Sequence, residues 1–150
     1  MLQRIQTLYL LAAAALCFAC LCLPVGVLTD GETAETAATM FNMWVSMEPD
    51  HAHVFTPWAL FVLLVLVTLG YGTAIGLYRH RPVQGRLVML CNLFVVGWYI
   101  VYALLIANFD YDFMPTLWAG FPAVACICGY LAFRGIIRDE ALVRSLDRLR

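Results

Sequence analysis

Four long apolar runs, separated by short polar stretches, divide the chain. The runs cover about residues 7–28, 57–78, 87–108 and 113–133. Each is close to the roughly 20 apolar residues that a helix needs to cross the ~30 Å hydrocarbon core of a bilayer. The pattern predicts an all-α membrane protein, in which a single domain over residues 1–150 forms a four-helix transmembrane bundle.

The polar stretches between these runs carry the breaks in the pattern. Pro82 and Gly85 predict a turn over 79–86, and Pro122 predicts a kink inside the fourth span. The longest connection is an outer loop over 29–56. Its segment 36–47 has apolar residues at a spacing that suits either a helix or a strand, and periodicity does not choose between them.

Charge is scarce and unevenly distributed. Charged residues make up 13% of the chain, against about 25% in a soluble domain. All nine basic residues are arginines, located at the N-terminus, in the turn at 79–86 and in the tail 134–150. The connections 29–56 and 108–112 carry acidic residues and no basic ones. The positive-inside rule then predicts that both termini lie in the cytoplasm.

The tail over 134–150 is the one long charged run. Leu142, Val143, Leu146 and Leu149 fall on one face of a helix, with arginines on the others. We therefore expect a cytoplasmic amphipathic helix after the fourth span. A basic stripe interleaved with aromatic residues is absent elsewhere in the sequence, which argues against nucleic acid as a partner.

Three stretches carry a resemblance to a known family. They are Gln3-Arg-Ile-Gln-Thr-Leu-Tyr-Leu10, Arg81-Pro-Val-Gln-Gly-Arg86 and Asp139-Glu-Ala-Leu-Val-Arg-Ser-Leu-Asp-Arg-Leu-Arg150. In these stretches the chain resembles an uncharacterised family of small four-pass inner-membrane proteins from Bacteroidetes, classed as a domain of unknown function. The resemblance implies a multi-pass protein of the bacterial cytoplasmic membrane. It implies no activity.

Few residues suggest chemistry. Glu48, Asp50, His51 and His53 form the best candidate metal cluster, because imidazole and carboxylate groups suit Zn²⁺ or Cu²⁺. Their spacing matches no established motif, so an ordinary solvated loop is the main alternative and no metal or other cofactor is predicted. The six cysteines lie in apolar runs, where we interpret them as small apolar fillers.

The spans hold no ionisable acid, base or histidine between their ends, so proton relay and haem ligation have no candidate residue there. Asn92 is, with Thr68 and Thr73, one of the three main polar groups at depth. We interpret it as an interhelical hydrogen-bonding residue, or else as a contact in a transport cavity.

The cytoplasmic face gathers the remaining candidates for contact with a partner or with lipid. They are Gln3, Arg4, Gln6, Arg81, Gln84, Arg86, Asp139, Glu140, Arg144, Asp147 and Arg148. Asp139 and Glu140 are placed to pair with Arg4 or Arg86 and dock the tail under the bundle. The arginines are equally suited to anchoring helix ends among anionic lipid headgroups.

The leading hypothesis is a non-enzymatic accessory or scaffold subunit of an inner-membrane assembly, acting through this face on a membrane or cytoplasmic protein. A small transporter or channel-like protein with a cavity among the spans is the first alternative. An extracytoplasmic metal or ligand binder is the second. Under the leading hypothesis, alanine at Arg144, Asp147 or Arg148 weakens partner binding.

Overall fold

A computed structural model describes residues 2–29, 36–47, 52–54, 57–78, 80–108 and 112–147. Side chains are described over 5–29, 38–47, 57–78, 80–108, 112–139 and at 141. The helices in this part of the chain are α1 (Leu2–Cys22), α2 (Trp58–Gly76), α3 (Arg81–Ala107) and α4 (Phe121–Asp147). All four are long and apolar enough to cross a membrane, as the sequence predicted.

The helices pack as a closed ring, with α1 against α2 and α4, and α3 against α2 and α4. Their buried positions recur at alternating steps of three and four residues. In α1 these are 6, 10, 13, 17 and 20; in α2, 60, 64, 67, 71 and 74; in α3, 84, 88, 91, 95, 98 and 102; and in α4, 122, 125, 129, 132 and 136. This spacing averages 3.5, the period that keeps one seam of each helix on its neighbours. Apart from buried Gly85, the residues outside the seam are partly or largely exposed, and most of them are apolar, as lipid contact requires.

A small antiparallel sheet adds to the helices, so the all-α prediction was incomplete. Its strands are β1 (Gly26–Thr29), β2 (Thr36–Met40), β3 (Val45–Met47), β4 (Ala52–Val54) and β5 (Asp112–Pro115), in the order β4-β3-β2-β1-β5. Segment 36–47 is therefore a hairpin, closed by the hydrogen bond from the Phe41 N–H to the Trp44 carbonyl at 2.8 Å. Strand β1 pairs with β2 on one side and with the edge strand β5 on the other.

Three predicted boundaries were wrong. The first helix ends at Cys22, because Pro24 follows and β1 then begins at Gly26. The turn predicted over 79–86 is mostly helix, since α3 begins at Arg81. Proline in the first turn loses no intrahelical bond, so Pro82 starts α3 instead of breaking it.

The fourth span also begins differently from the prediction. Residues 112–115 form β5, and a short 3₁₀ turn over Leu117–Gly120 leads into α4. Pro122 is the second residue of α4 and introduces no kink within the helix. The same helix continues through 134–147, so the tail that was expected as a separate helix is an extension of α4 over its described backbone.

The connections give the bundle two different ends. Every strand lies at the end where α1 and α3 finish and α2 and α4 begin, which we term the sheet end. The opposite end brings together the start of α1, the turn between α2 and α3, and the last part of α4. It carries Arg81, Arg86, Arg134 and Arg138, and we term it the basic end.

Candidate functional site

The basic end is closed by a contact between the first helix and the last. Nε2 of Gln6 in α1 donates a hydrogen bond to Oδ2 of Asp139 in α4, at 2.7 Å. The Gln6 side chain is buried, although glutamine is usually exposed. It reaches α4 by passing over Gly135, where an added Cβ would lie 3.0 Å from Cγ and 3.1 Å from Nε2 of Gln6. Glycine at 135 therefore makes room for the Gln6–Asp139 contact.

A second buried glutamine joins α2 to α3 at the same end. Nε2 of Gln84 donates a hydrogen bond to the carbonyl oxygen of Ala74 at 2.9 Å. The sequence predicts Gln84 as a candidate for contact with a partner or with lipid, but only 6% of its surface is exposed. Its position ties two helices together and gives a partner little access to it.

The predicted interaction residues divide into three groups. Gln6 and Asp139 are brought together, and Gln84 is buried between helices. Arg81 and Arg86 are near each other on α3, and neither has a carboxylate partner among the described side chains. The expected pairing of Asp139 with Arg86 is not formed, because Asp139 accepts its hydrogen bond from Gln6. The side chains of Gln3, Arg4, Glu140, Arg144, Asp147 and Arg148 lie outside the described part of the chain.

The candidate metal cluster lies outside the described side chains as well. Glu48, Asp50 and His51 are not described, and of His53 only the backbone in β4 is. Among the described residues, no group of three or more His, Cys, Asp or Glu side chains is arranged to hold a metal ion. All six cysteines are free thiols, and the C-x-x-C pair Cys17 and Cys20 is buried without a disulfide.

Asn92 forms an interhelical contact in the middle of the bundle. Its Oδ1 accepts a hydrogen bond from the hydroxyl of Tyr71 in α2, at 2.5 Å. Gly129 in α4 packs against both groups, because an added Cβ there would overlap them. This three-helix contact matches the expected structural role of Asn92. A groove beside Asn92 is lined by exposed residues such as Met89 and Leu93, so it opens on the outer surface of the bundle.

A further polar contact, which the sequence reasoning missed, fastens the sheet to the helices. The side chain of Asn42, in the turn between β2 and β3, is fully buried. Its Nδ2 donates to the carbonyl oxygen of Cys20 at 2.7 Å, and its Oδ1 accepts from Nε1 of Trp98 at 3.1 Å. The Tyr102 hydroxyl donates to the carbonyl oxygen of Val25 at 2.7 Å beside it. The sheet end is thus a structural assembly with its described buried polar groups satisfied.

A family described as "Domain of unknown function (DUF4293)" matches residues 2–149. The chain belongs to the DUF4293 family. The expected resemblance to an uncharacterised family is confirmed in that form, and the match includes both Gln6 and Asp139. A search of curated proteins finds no match to this DUF4293 chain.

Proposed function

We propose that this DUF4293 protein is a four-pass protein of the bacterial cytoplasmic membrane that serves as a non-enzymatic accessory or scaffold subunit. Both termini lie in the cytoplasm, and the cytoplasmic extension of α4 is the surface presented to a protein partner. The observation that carries the proposal is the continuity of α4, which extends from Phe121 to Asp147 and outlasts its apolar span, ending at Asp139.

The orientation rests on the two ends of the bundle. The described arginines Arg81, Arg86, Arg134 and Arg138 lie at the basic end. In the sequence, the connections 29–56 and 108–112, which join the helices on the side of the sheet end, contain acidic residues and no arginine or lysine. Short loops next to membrane spans follow the positive-inside rule, so the basic end belongs in the cytoplasm. This places the sheet on the opposite side.

The extension has the properties of a preformed binding element. At 1.5 Å per residue, the helix over 140–147 projects roughly 12 Å beyond the apolar span. Its base is held by the Gln6–Asp139 hydrogen bond and by Ile136, which is buried in the core. A helix that is ordered before binding loses little conformational entropy on association, which favours affinity. The sequence pattern puts Leu142, Val143 and Leu146 on one helical face, as a groove-binding helix requires.

Two variants of the full chain, each with one photo-crosslinking residue, test the proposal. In the first, the photo-crosslinking residue replaces exposed Ala141 on the extension; in the second, it replaces exposed Ile127 in the middle of the apolar span. After irradiation in cells, we expect one discrete protein adduct at position 141 and lipid-only or no adduct at 127. Solubilisation in mild detergent should then recover the same partner in stoichiometric amount.

A truncation after Asp139 provides the complementary measurement. It removes the extension but keeps Gln6–Asp139 and the buried seam, so we expect normal folding with loss of the partner. Partner recovery at the wild-type level from the truncated protein would contradict the proposal. A partner-free, monodisperse wild-type protein with no adduct at 141 would contradict it as well.

A further inference from the structure

An apolar groove runs along the outside of the bundle between α3 and α4. Its volume is about 590 Å³. Met89, Leu93 and Val96 of α3 form one wall, and Tyr130 and Phe133 of α4 form the other. Met89, Leu93, Val96 and Tyr130 are each half or more exposed, so the groove is open towards the surrounding lipid.

The groove has the length of one bilayer leaflet. From Arg86, which lines the groove at the basic end, to Val96 is ten residues of α3, or about 15 Å at 1.5 Å per residue. Half of the ~30 Å hydrocarbon core is the same distance. An apolar chain that enters at the basic end would therefore reach about the bilayer midplane.

Two arginines stand at the mouth of this groove. Arg81 and Arg86 line an adjoining cleft of about 230 Å³, which shares Arg86 and Phe133 with the groove. Within the described side chains, neither arginine is paired with a carboxylate, and nearby Asp139 is engaged by Gln6. Arginine forms its strongest hydrogen bonds with carboxylate and phosphate oxygens, often two at a time. The mouth is therefore suited to an anionic headgroup.

We propose that this groove binds one anionic phospholipid, with an acyl chain along α3 and α4 and the phosphate at Arg81 and Arg86. A transmembrane helix of a partner is a poorer fit. A partner's apolar helix would leave the two arginines at the mouth without an anionic group, whereas one phospholipid supplies both the acyl chain and the phosphate. The inference requires that α3 and α4 cross the bilayer, but it does not depend on a protein partner.

Lipid titration of the full-length protein in neutral detergent tests the site. Phosphatidylglycerol and phosphatidylcholine with identical acyl chains are added separately, and binding is followed by native mass spectrometry and by the thermal midpoint. We expect one tightly retained phosphatidylglycerol per chain and a larger upward shift of the midpoint than with phosphatidylcholine. Equal retention and equal shifts for the two lipids would overturn the proposal.

Matched variants locate the headgroup. The double change Arg81→Gln, Arg86→Gln should weaken phosphatidylglycerol binding by roughly thirtyfold, since each arginine near a headgroup contributes about one factor of five. The control Arg138→Gln removes an exposed arginine of α4 that lines neither cleft, and binding should stay within about twofold of wild type. An equal loss of phosphatidylglycerol binding in the double variant and in the Arg138→Gln control would indicate general charge attraction and would overturn the proposed headgroup site.

A third variant tests the acyl chain without changing charge. Val96→Trp enlarges a half-exposed residue in the wall, so the core is left intact while the groove is filled. We expect reduced phosphatidylglycerol retention with an unchanged thermal midpoint in lipid-free detergent. Full retention of phosphatidylglycerol by this variant would overturn the proposed position of the acyl chain. The same conclusion would follow if glycerol 1-phosphate, which has no acyl chain, stabilised the wild type as strongly as the lipid does.

Discussion

Gln6 and Asp139 are 133 positions apart in the chain, and the hydrogen bond from Nε2 to Oδ2 joins them at 2.7 Å. The bond connects the first turns of α1 to the point where α4 leaves its apolar span. It holds the base of the α4 extension in place. The charge on the Asp139 carboxylate strengthens this hydrogen bond, because hydrogen bonds to ionised groups are about twice as strong as those between neutral groups.

Replacement of Gln6 by glutamate should destabilise the protein in a pH-dependent way. Gln6→Glu places two carboxylates within hydrogen-bonding distance at a partly buried site, and we expect a loss of about 1–3 kcal/mol at neutral pH. Protonation of either carboxyl removes the repulsion and restores a donor. The deficit relative to wild type should therefore shrink as pH falls, measured by thermal unfolding in detergent across a pH series.

The neutral variant Gln6→Leu is the control for that measurement. It also loses the hydrogen bond, but it adds no second carboxylate, so its deficit should shrink less at low pH than that of Gln6→Glu. A pH-independent deficit in Gln6→Glu, equal to that of Gln6→Leu, would show that Asp139 does not face residue 6.

Gly129 should tolerate no side chain, because it packs against the Tyr71–Asn92 hydrogen bond. An added Cβ would lie 2.7 Å from the Tyr71 hydroxyl, well inside van der Waals contact. We expect Gly129→Ala to cost about 1–3 kcal/mol, the usual cost of overpacking a core. Gly72 in α2 is the matched control, since an added Cβ there meets nothing within 4 Å.

Gly72→Ala should be neutral or stabilising by up to about 1 kcal/mol, because alanine restricts the unfolded chain. Thermal midpoints of the two variants in the same detergent make the comparison. Equal effects of alanine at 129 and 72 would contradict the close approach of α4 to Asn92.

Asn42 should be required to hold the sheet against the helices. Asn42→Leu leaves the indole N–H of buried Trp98 and the carbonyl of Cys20 without the partners they have now. Each unsatisfied buried group costs about 1–3 kcal/mol, so we expect a large fall in the thermal midpoint. The neighbouring change Met43→Leu affects an exposed residue of the same turn and should leave the midpoint nearly unchanged. A mild effect at Asn42 would mean that the sheet is held mainly by its apolar face.

The helices could be predicted from the sequence, because lipid imposes a length and an apolar composition on each span. The helix boundaries at Pro82 and Pro122 could not, since proline is compatible with both a break and a first turn. The sheet was harder still. Strand β1 is four residues long and pairs with β5 after two intervening helices, so local periodicity carries no signal for that pairing.

The buried polar residues did leave a signal in the sequence. Gln6 is in phase with the buried series of α1 through Leu10, and Gln84 is in phase with that of α3 through Val88. Asp139 follows Ile136 by three residues in the seam of α4. If the 3.5-residue spacing of buried positions is continued to the ends of the helices, it places these three side chains between helices. Which partner each would find depends on the ring order, and that order is not encoded locally.

Ala141 lies in the part of α4 that continues beyond the apolar span. Proline at this position removes a backbone hydrogen bond and clashes with the preceding turn, at a cost of about 3 kcal/mol to the helix. Ala141 is exposed and lies beyond the buried seam, so Ala141→Pro should disrupt the extension and leave the bundle folded. We expect partner recovery to be lost with a thermal midpoint close to that of wild type. Ala141→Ser keeps the helix and should retain the partner, whereas recovery of the partner by the proline variant would show that the extension is not the binding element.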